Sequence, residues 1–82
     1  MNQEYELSII TINYNGLEDT CQMLSSLSLG DISAQVIVVD NGSSEDEGSV
    51  IQSQFPWVEV YSTHNNLGFA GGNNVGISRA QG

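Results

Sequence analysis

Polar and small residues cluster in three short segments of this sequence, at positions 13–16, 40–44 and 64–74. Their amide and carboxylate side chains donate and accept hydrogen bonds, and their glycines let a ligand come close to backbone N–H groups. Groups of this kind recognise polar small molecules. The three segments therefore predict a binding surface for a polar or anionic ligand.

Asp40 is well placed for such recognition, because it directly follows the apolar run Val36-Ile-Val-Val39. Its carboxylate could accept hydrogen bonds from a nucleoside. However, Asp40-Asn41-Gly42 is also a run of turn-forming residues of the kind that ends many strands. A ligand contact and a structural turn both stay open for this segment.

The segment Leu67-Gly-Phe-Ala-Gly-Gly-Asn-Asn74 is rich in small residues and lies at the predicted start of a helix. Small residues there would allow an anion to approach the backbone N–H groups of the helix, which suits a diphosphate in a chain without lysine. The alternative is that the glycines allow close packing between the helix and a sheet.

Isolated aromatic, histidine and acidic residues near these segments have simple structural explanations. The Tyr14 ring could stack on a base at the end of the first strand, or it could form part of the hydrophobic boundary. Trp57 is expected to pack in the core or at an edge, and His64 is expected to be a solvated loop residue. The acidic run Glu45-Asp-Glu47 is interpreted as helix capping rather than as a metal site.

Short apolar runs predict three strands. Residues 7–13 are rich in β-branched side chains, and residues 36–39 are apolar at every position. A continuous apolar run is typical of a parallel strand that is covered on both faces. Residues 57–61 alternate more between apolar and polar side chains, so this third strand is predicted nearer the edge of the sheet.

Helices are predicted after each strand. The first has apolar residues at helical spacing, namely Leu17, Cys21, Leu24 and Leu27. The second begins with a capping box at residues 44–47 and ends before Pro56. Its apolar face is predicted to consist of Val50, Ile51 and Phe55.

The third helix is predicted over residues 69–80 although it contains Gly71, Gly72 and Gly76, each of which costs a helix about 1 kcal/mol relative to alanine. The order β-α-β-α-β-α predicts an α/β, Rossmann-like fold with a parallel sheet flanked by helices. In such folds the loops that follow the strands lie along one edge of the sheet, where ligands bind. The three polar segments are expected to meet at that edge.

Charge and size exclude several classes of protein. The 82 residues carry a formal net charge of −9, and a chain with one basic residue cannot neutralise the phosphates of a nucleic acid. The length fits one small domain or part of a larger one. No apolar stretch approaches the roughly 20 residues of a membrane span, and the acidic N-terminus is unlike a signal peptide. A cytoplasmic location is expected, in agreement with the single cysteine.

Two familiar phosphate-binding motifs are absent. The chain has no Gly-Lys-Ser/Thr sequence, which a P-loop requires. A dinucleotide-binding fold would need Gly-x-Gly-x-x-Gly directly after the first strand, where this sequence has only Asn15-Gly16. If an anion binds here, backbone N–H groups or a metal ion must hold it.

Three blocks of the sequence together resemble the N-terminal part of the family 2 glycosyltransferases: Ser8-Ile-Ile-Thr-Ile-Asn-Tyr-Asn-Gly16, Val36-Ile-Val-Val-Asp-Asn-Gly-Ser43 and Asn65-Asn-Leu-Gly-Phe-Ala-Gly-Gly-Asn-Asn-Val-Gly-Ile77. The second and third blocks look most like the bacterial rhamnosyltransferase-like branch, which serves cell-envelope polysaccharides. The resemblance implies the start of a GT-A fold. It also implies transfer of a sugar from a nucleotide diphosphate donor to a hydroxyl acceptor, with inversion at the anomeric carbon.

The resemblance also implies roles for the strand-end residues. Ile12, Asn13 and Tyr14 would line the nucleobase, and Asp40 and Asn41 would meet its polar edge. Many relatives have Asp in place of Asn41, but an amide oxygen still accepts from N3–H of uracil or thymine, so a uridine or thymidine diphosphate sugar is the expected partner. The positions expected near the ribose and the diphosphate are Asn66, Gly68, Gly71, Gly72, Asn73 and Asn74. Many relatives have Arg in place of Asn73.

Two parts of the family's machinery are expected further along the chain than Gly82. These are the Asp-x-Asp motif, which holds Mg²⁺ or Mn²⁺ on the diphosphate, and the catalytic base. Residues 1–82 are therefore expected to be the incomplete nucleotide-binding part of one GT-A domain, inactive alone and without catalytic or metal-binding residues. Mg²⁺ or Mn²⁺ is expected for the full-length enzyme, and its peripheral association with a membrane stays open. The alternative is a non-catalytic nucleotide-binding module.

Overall fold

The computed structural model describes residues 5–27 and 33–81, in which strands and helices alternate along the chain. The strands are β1 (Leu7–Asn13), β2 (Ala34–Asp40) and β3 (Glu59–Ser62). The helices are α1 (Leu17–Ser26), α2 (Glu47–Gln54) and α3 (Gly68–Arg79). This order confirms the predicted β-α-β-α-β-α arrangement.

The three strands form a parallel sheet in which β2 lies between β1 and β3. Asn13 at the end of β1 pairs with Asp40 at the end of β2, and Asp40 pairs in turn with Ser62 at the end of β3. All three strands therefore finish at the same level. The polar segments that follow them are brought together along this edge, as the sequence predicts.

One face of the sheet packs against α1 and α2. The buried apolar residues of this core are Leu24, Val36, Val38, Ile51 and Val58. Partly buried apolar residues of α1 and its C-cap pack around them, namely Leu17, Cys21, Met23 and Leu27. The predicted apolar stripe of α1 and the predicted burial of the β2 run are both confirmed.

The other face of the sheet is covered by α3. Ile10 and Ile12 point toward this helix, because side chains alternate between the two faces of a strand and Ile9 contacts the opposite core. A Cβ atom on Gly72 would lie only 2.8 Å from the Ile12 Cδ1 atom, and one on Gly76 would collide with Ile10 Cγ2. The glycines thus allow α3 to lie directly on β1, which favours the packing explanation for both.

The end of α3 is attached to the sheet by the buried side chain of Gln35. The Gln35 Nε2 group donates to the Arg79 carbonyl at 3.2 Å and to Glu59 Oε2 at 2.8 Å, while its Oε1 atom accepts from Gln81 N at 2.7 Å. The guanidinium of Arg79 lies over the Tyr61 ring, 5.0 Å from its centroid. These contacts hold the C-terminal end of α3 against β2 and β3.

Three details of the predicted elements are wrong. β3 begins at Glu59 rather than Trp57, because the residues before it form a turn closed by a 3.0 Å hydrogen bond from Val58 N to the Phe55 carbonyl. Val50 is 38% exposed, because α2 turns Gly48 and Ile51 toward the sheet.

The third difference concerns the start of α2. Asp46 is the N-cap, and its Oδ1 atom accepts from Ser49 N at 3.2 Å. Ser44, which the capping-box prediction required at this position, instead donates its hydroxyl to Asn15 Oδ1 at 3.0 Å. The helix therefore starts at Glu47, and the loop before it is attached to the loop after β1.

Candidate functional site

Three polar side chains at the carboxyl ends of β1 and β2 are almost completely buried. Asn13, Asp40 and Asn41 are only 1%, 2% and 2% exposed. Burying a polar group is costly unless it is hydrogen-bonded, and in the part of the chain that the structure describes no buried side-chain nitrogen or oxygen lacks a partner. The three residues are thus held by contacts within the protein.

Both carboxylate oxygens of Asp40 are occupied. Oδ1 accepts from Ser43 Oγ at 2.6 Å and from Asn13 Nδ2 at 3.2 Å, and Oδ2 accepts from Gly48 N at 3.0 Å. Gly48 lies in the first turn of α2, where a negative charge is favourable for the helix dipole. Asp40 therefore connects β1, the loop after β2 and the start of α2, which gives this residue a structural role that the strand-end position alone did not reveal.

Asn13 connects the same elements through its amide. Its Nδ2 group donates to Glu47 Oε1 at 2.9 Å as well as to Asp40, and its Oδ1 atom accepts from Thr20 Oγ1 at 2.6 Å. Neither Thr20 nor Glu47 was predicted to belong to the site. Thr20 lies within the apolar stripe of α1, three residues after Leu17. A polar side chain on a buried helix face needs a hydrogen-bond partner, and this signal could have identified Thr20.

Asn41 joins the end of β2 to the segment before α3. Its Oδ1 atom accepts from Leu67 N at 3.0 Å and from Thr63 Oγ1 at 3.2 Å, and its Nδ2 group donates to the Gly68 carbonyl at 3.0 Å. Gly42 follows at φ +79, and a Cβ atom on it would collide with the backbone of Asn66. The loop after β2 and the loop after β3 are therefore in direct backbone contact.

Exposed groups surround this buried cluster. Tyr14 is 49% exposed at the end of β1, and Asn66, Gly68 and Asn74 are exposed near the start of α3. The other residues predicted at the site are less accessible: Gly72 is buried, and Ile12, Gly71 and Asn73 are half-buried. Gly72 lies against Ile12 and Asn41 at the carboxyl end of the strands, whereas Asn73 and Asn74 follow it further along α3. Of the predicted positions named here, the exposed ones are directly accessible to a ligand.

The Gly71-Gly72 pair was predicted to lie at the N-terminus of the third helix, but the structure places it further along the helix. α3 begins at Gly68, so Gly71 and Gly72 come one turn later. A Cβ atom on Gly72 would meet Ile12 and the Asn41 amide, and one on Gly71 would meet the Leu67 side chain. The first N–H group of the helix, that of Gly68, donates to Asn66 Oδ1 at 2.7 Å.

A polar cavity of about 280 Å³ opens on the α2 side of this edge. Its walls include Ser43, Ser44, Asp46, Ser62 and His64. The pKa of Asp46 is held below its usual value by hydrogen bonds from the Ser49 hydroxyl and backbone N–H, so this carboxylate is anionic at neutral pH. Like charges repel, so the cavity suits hydroxyl groups or cations better than a diphosphate.

The described residues do not form a metal site. Among residues 5–27 and 33–81, no three His, Cys, Asp or Glu side chains come together as possible ligands. Two acids at this edge, Asp40 and Glu47, both accept hydrogen bonds from Asn13. The chemistry of this donor set is therefore that of a hydrogen-bonded scaffold.

None of the helices in the described ranges has the length and apolar character needed to cross a membrane. No curated protein sequence matches the chain with significance. The family model for Glycosyl transferase family 2 matches residues 8–82, a range that includes the carboxyl ends of all three strands and the whole of α3. With its parallel sheet and its polar residues gathered where the strands end, this chain belongs to glycosyl transferase family 2.

Proposed function

We propose that this chain forms the donor-binding part of an inverting glycosyltransferase that moves a sugar from a uridine or thymidine diphosphate donor to a hydroxyl acceptor. A rhamnosyltransferase-like specificity and a cytoplasmic location belong to the same proposal. The observation that carries it is the convergence of Asn13, Asp40 and Asn41 at the carboxyl edge of a parallel sheet, with the Tyr14 ring exposed beside them. Ligands of open α/β sheets bind at this edge.

In this proposal, exposed and buried residues have different tasks. The Tyr14 ring and the half-buried Ile12 form an apolar surface for the base. Asn66, Asn73 and Asn74 offer amide groups toward the ribose and diphosphate, on the α3 side of the edge. The buried Asn13, Asp40 and Asn41 hold the strand ends and loops in position.

The electrostatics support the α3 side for the diphosphate. The acidic groups Glu45, Asp46 and Glu47 belong to the loop before α2 and to its first turn, whereas residues 63–78 contain no acidic side chain. A diphosphate on the α2 side would meet these carboxylates. Mg²⁺ or Mn²⁺ would offset the remaining repulsion in the complete enzyme, with ligands other than the residues described here.

Titration calorimetry of the protein with UDP, dTDP and ADP tests this function. Stacking of a base on an aromatic ring contributes about 1–3 kcal/mol, so Tyr14→Leu should weaken UDP or dTDP binding by about tenfold or more. Tyr14→Phe keeps the ring and is the matched control. Absence of binding to all three nucleotides would contradict the proposal. Binding by a full-length protein that transfers no sugar would favour the non-catalytic module.

A further inference from the structure

Two loops are joined by hydrogen bonds beside the exposed ring of Tyr14. The next residue, Asn15, accepts with its Oδ1 atom from Ser44 N at 2.8 Å and from Ser44 Oγ at 3.0 Å. Its backbone N–H donates to Ser43 Oγ, also at 3.0 Å. Asn15 belongs to the loop after β1 and the two serines belong to the loop after β2. Three bonds from one residue therefore attach these loops to each other.

The loop after β2 is itself held by a buried group. Ser43 donates its hydroxyl hydrogen to Asp40 Oδ1 at 2.6 Å, which leaves lone pairs of the hydroxyl oxygen to accept from Asn15 N. Asp40 is only 2% exposed, and its other oxygen accepts from Gly48 N at 3.0 Å. Asn15 is thus connected, through one hydroxyl group, to a buried carboxylate at the end of β2.

The backbone and the bonds of Asn15 limit which side chains this position accepts. Its φ angle is +52°, in the left-handed region that Asn and Asp enter more readily than other residues with a Cβ atom. The side chain is used as an acceptor, and within the described ranges no residue accepts a hydrogen bond from Asn15 Nδ2. Asp therefore satisfies both requirements, whereas Gly satisfies only the backbone angle.

Both peptide groups that flank Tyr14 are attached to the loop after β2. The preceding group accepts through the Asn13 carbonyl from Asn41 N at 2.8 Å, and the following group donates through Asn15 N to the Ser43 hydroxyl. These bonds fix the direction in which the Tyr14 side chain leaves the backbone, while the residue stays 49% exposed. A side chain that is already held in this way loses less conformational entropy when it binds a ligand.

We propose that Asn15 is a positioning residue, which attaches the loop after β1 to Ser43 and Ser44 and so holds the Tyr14 side chain in the direction in which it meets the base of the donor. The inference rests on the proposed function, because that function assigns the base to Tyr14. Asn15 then affects nucleotide affinity through Tyr14 and not through a contact of its own.

A double-variant cycle of Asn15→Gly and Tyr14→Leu tests this connection by calorimetry with UDP. Asn15→Gly keeps the φ angle and removes the accepting oxygen without a change of charge. UDP affinity should fall about three- to tenfold when Tyr14 is present and less than about twofold in the Tyr14→Leu background. Asn65→Gly is the matched control and should leave UDP affinity unchanged, because Asn65 is exposed and its side chain makes no hydrogen bond within the described ranges.

Two results of this cycle would overturn the proposal. An equal fall in both backgrounds would show that Asn15 acts independently of Tyr14. Unchanged UDP affinity in Asn15→Gly would show that the attachment of the loops does not matter for binding.

Asn15→Asp provides the rescue, because it keeps the accepting oxygen and tolerates the left-handed backbone. Uridine is the ligand for this variant, since a nucleoside has no phosphate that the new charge could repel. Asn15→Asp should bind uridine within about twofold of the wild type, and Asn15→Gly should bind it more weakly. Equal losses in the two variants would contradict a role for the oxygen.

NMR of the protein without nucleotide tests the positioning directly. The order parameter of the Tyr14 amide should be about 0.85 in the wild type and in Asn15→Asp, and below about 0.6 in Asn15→Gly. The Ser44 amide, which loses its acceptor, should exchange faster in Asn15→Gly while the β2 amides do not. An unchanged order parameter in Asn15→Gly would overturn the proposal. If the wild type binds neither UDP nor uridine, the proposed function fails, while the order parameters still decide whether Asn15 holds Tyr14.

Discussion

Asn13 and Asp40 occupy paired positions at the ends of β1 and β2, and the Asn13 amide donates to the Asp40 carboxylate at 3.2 Å. The bond joins two strands whose sequences are separated by α1. Glu47 accepts from the same amide nitrogen at 2.9 Å, so the start of α2 is included. One buried amide thus fixes the relative positions of three elements at the edge where the ligand is proposed to bind.

Replacement of Asp40 by Ala should destabilise the fold. Gly48 N, the Ser43 hydroxyl and the Asn13 amide would lose their acceptor, and an unsatisfied buried donor costs about 1–3 kcal/mol. Urea titration should therefore show a lower free energy of unfolding, with nucleotide binding weakened as a consequence. Glu18→Gln, at an exposed position in α1, controls for the loss of charge. Normal stability together with lost nucleotide binding would instead indicate that Asp40 contacts the ligand.

Replacement of Gly72 by Ala tests the packing of α3 on β1. The new methyl group would lie 2.8 Å from Ile12 Cδ1 and 3.1 Å from Asn41 Nδ2. We expect nucleoside and nucleoside diphosphate binding to weaken together, because the whole helix must shift. A double variant adds Ile12→Val, which removes the Cδ1 atom that the new methyl group would contact. It should therefore be more stable than Gly72→Ala alone. Selective loss of diphosphate binding would show that the glycine serves the phosphates.

The N-cap of α2 should make the stability depend on acidic pH. The pKa of Asp46 is lowered from its usual 3.8 by hydrogen bonds from Ser49, so its carboxylate binds a proton less readily in the folded than in the unfolded chain. The stabilisation that the Asp46 carboxylate gives the fold is therefore complete above its usual pKa. This stabilisation is lost as the pH falls through the lowered pKa. Urea midpoints at about pH 6 and about pH 3 should differ less in Asp46→Asn than in the wild type. Equal differences in the two proteins would contradict this account.

Tyr61 provides a spectroscopic test of the contacts near the end of α3. Its hydroxyl donates to Glu59 Oε1 at 2.9 Å, and this bond, burial and the Glu59 charge raise the pKa of Tyr61 above 10.0. Arg79 acts in the opposite direction. Glu59→Gln should therefore lower the pKa of Tyr61, and Arg79→Gln should raise it further, as followed by NMR of the ring. Shifts of the same sign in both variants would exclude this arrangement.

The sequence by itself determined the order of the elements and the edge at which their polar ends meet. The apolar run Val36–Val39 predicted a strand covered on both faces, and Leu17, Cys21 and Leu24 predicted the face of α1 that packs on it. These predictions hold because they depend on local periodicity, which the hydrophobic effect converts directly into burial. Capping at the start of α2 was predicted two residues too early, because Ser44 finds a partner in Asn15 across the loop.

Only the tertiary structure decided what each polar residue contacts. The register of β1 and β2 brings Asn13 to Asp40, and the packing of α3 brings Leu67 and Gly68 to Asn41. Such partners are distant in sequence, and a polar side chain in the interior must take whichever donor or acceptor the fold places beside it. The sequence therefore indicated that these residues matter at the edge of the sheet, and only the tertiary structure showed that they are buried and hydrogen-bonded within the protein.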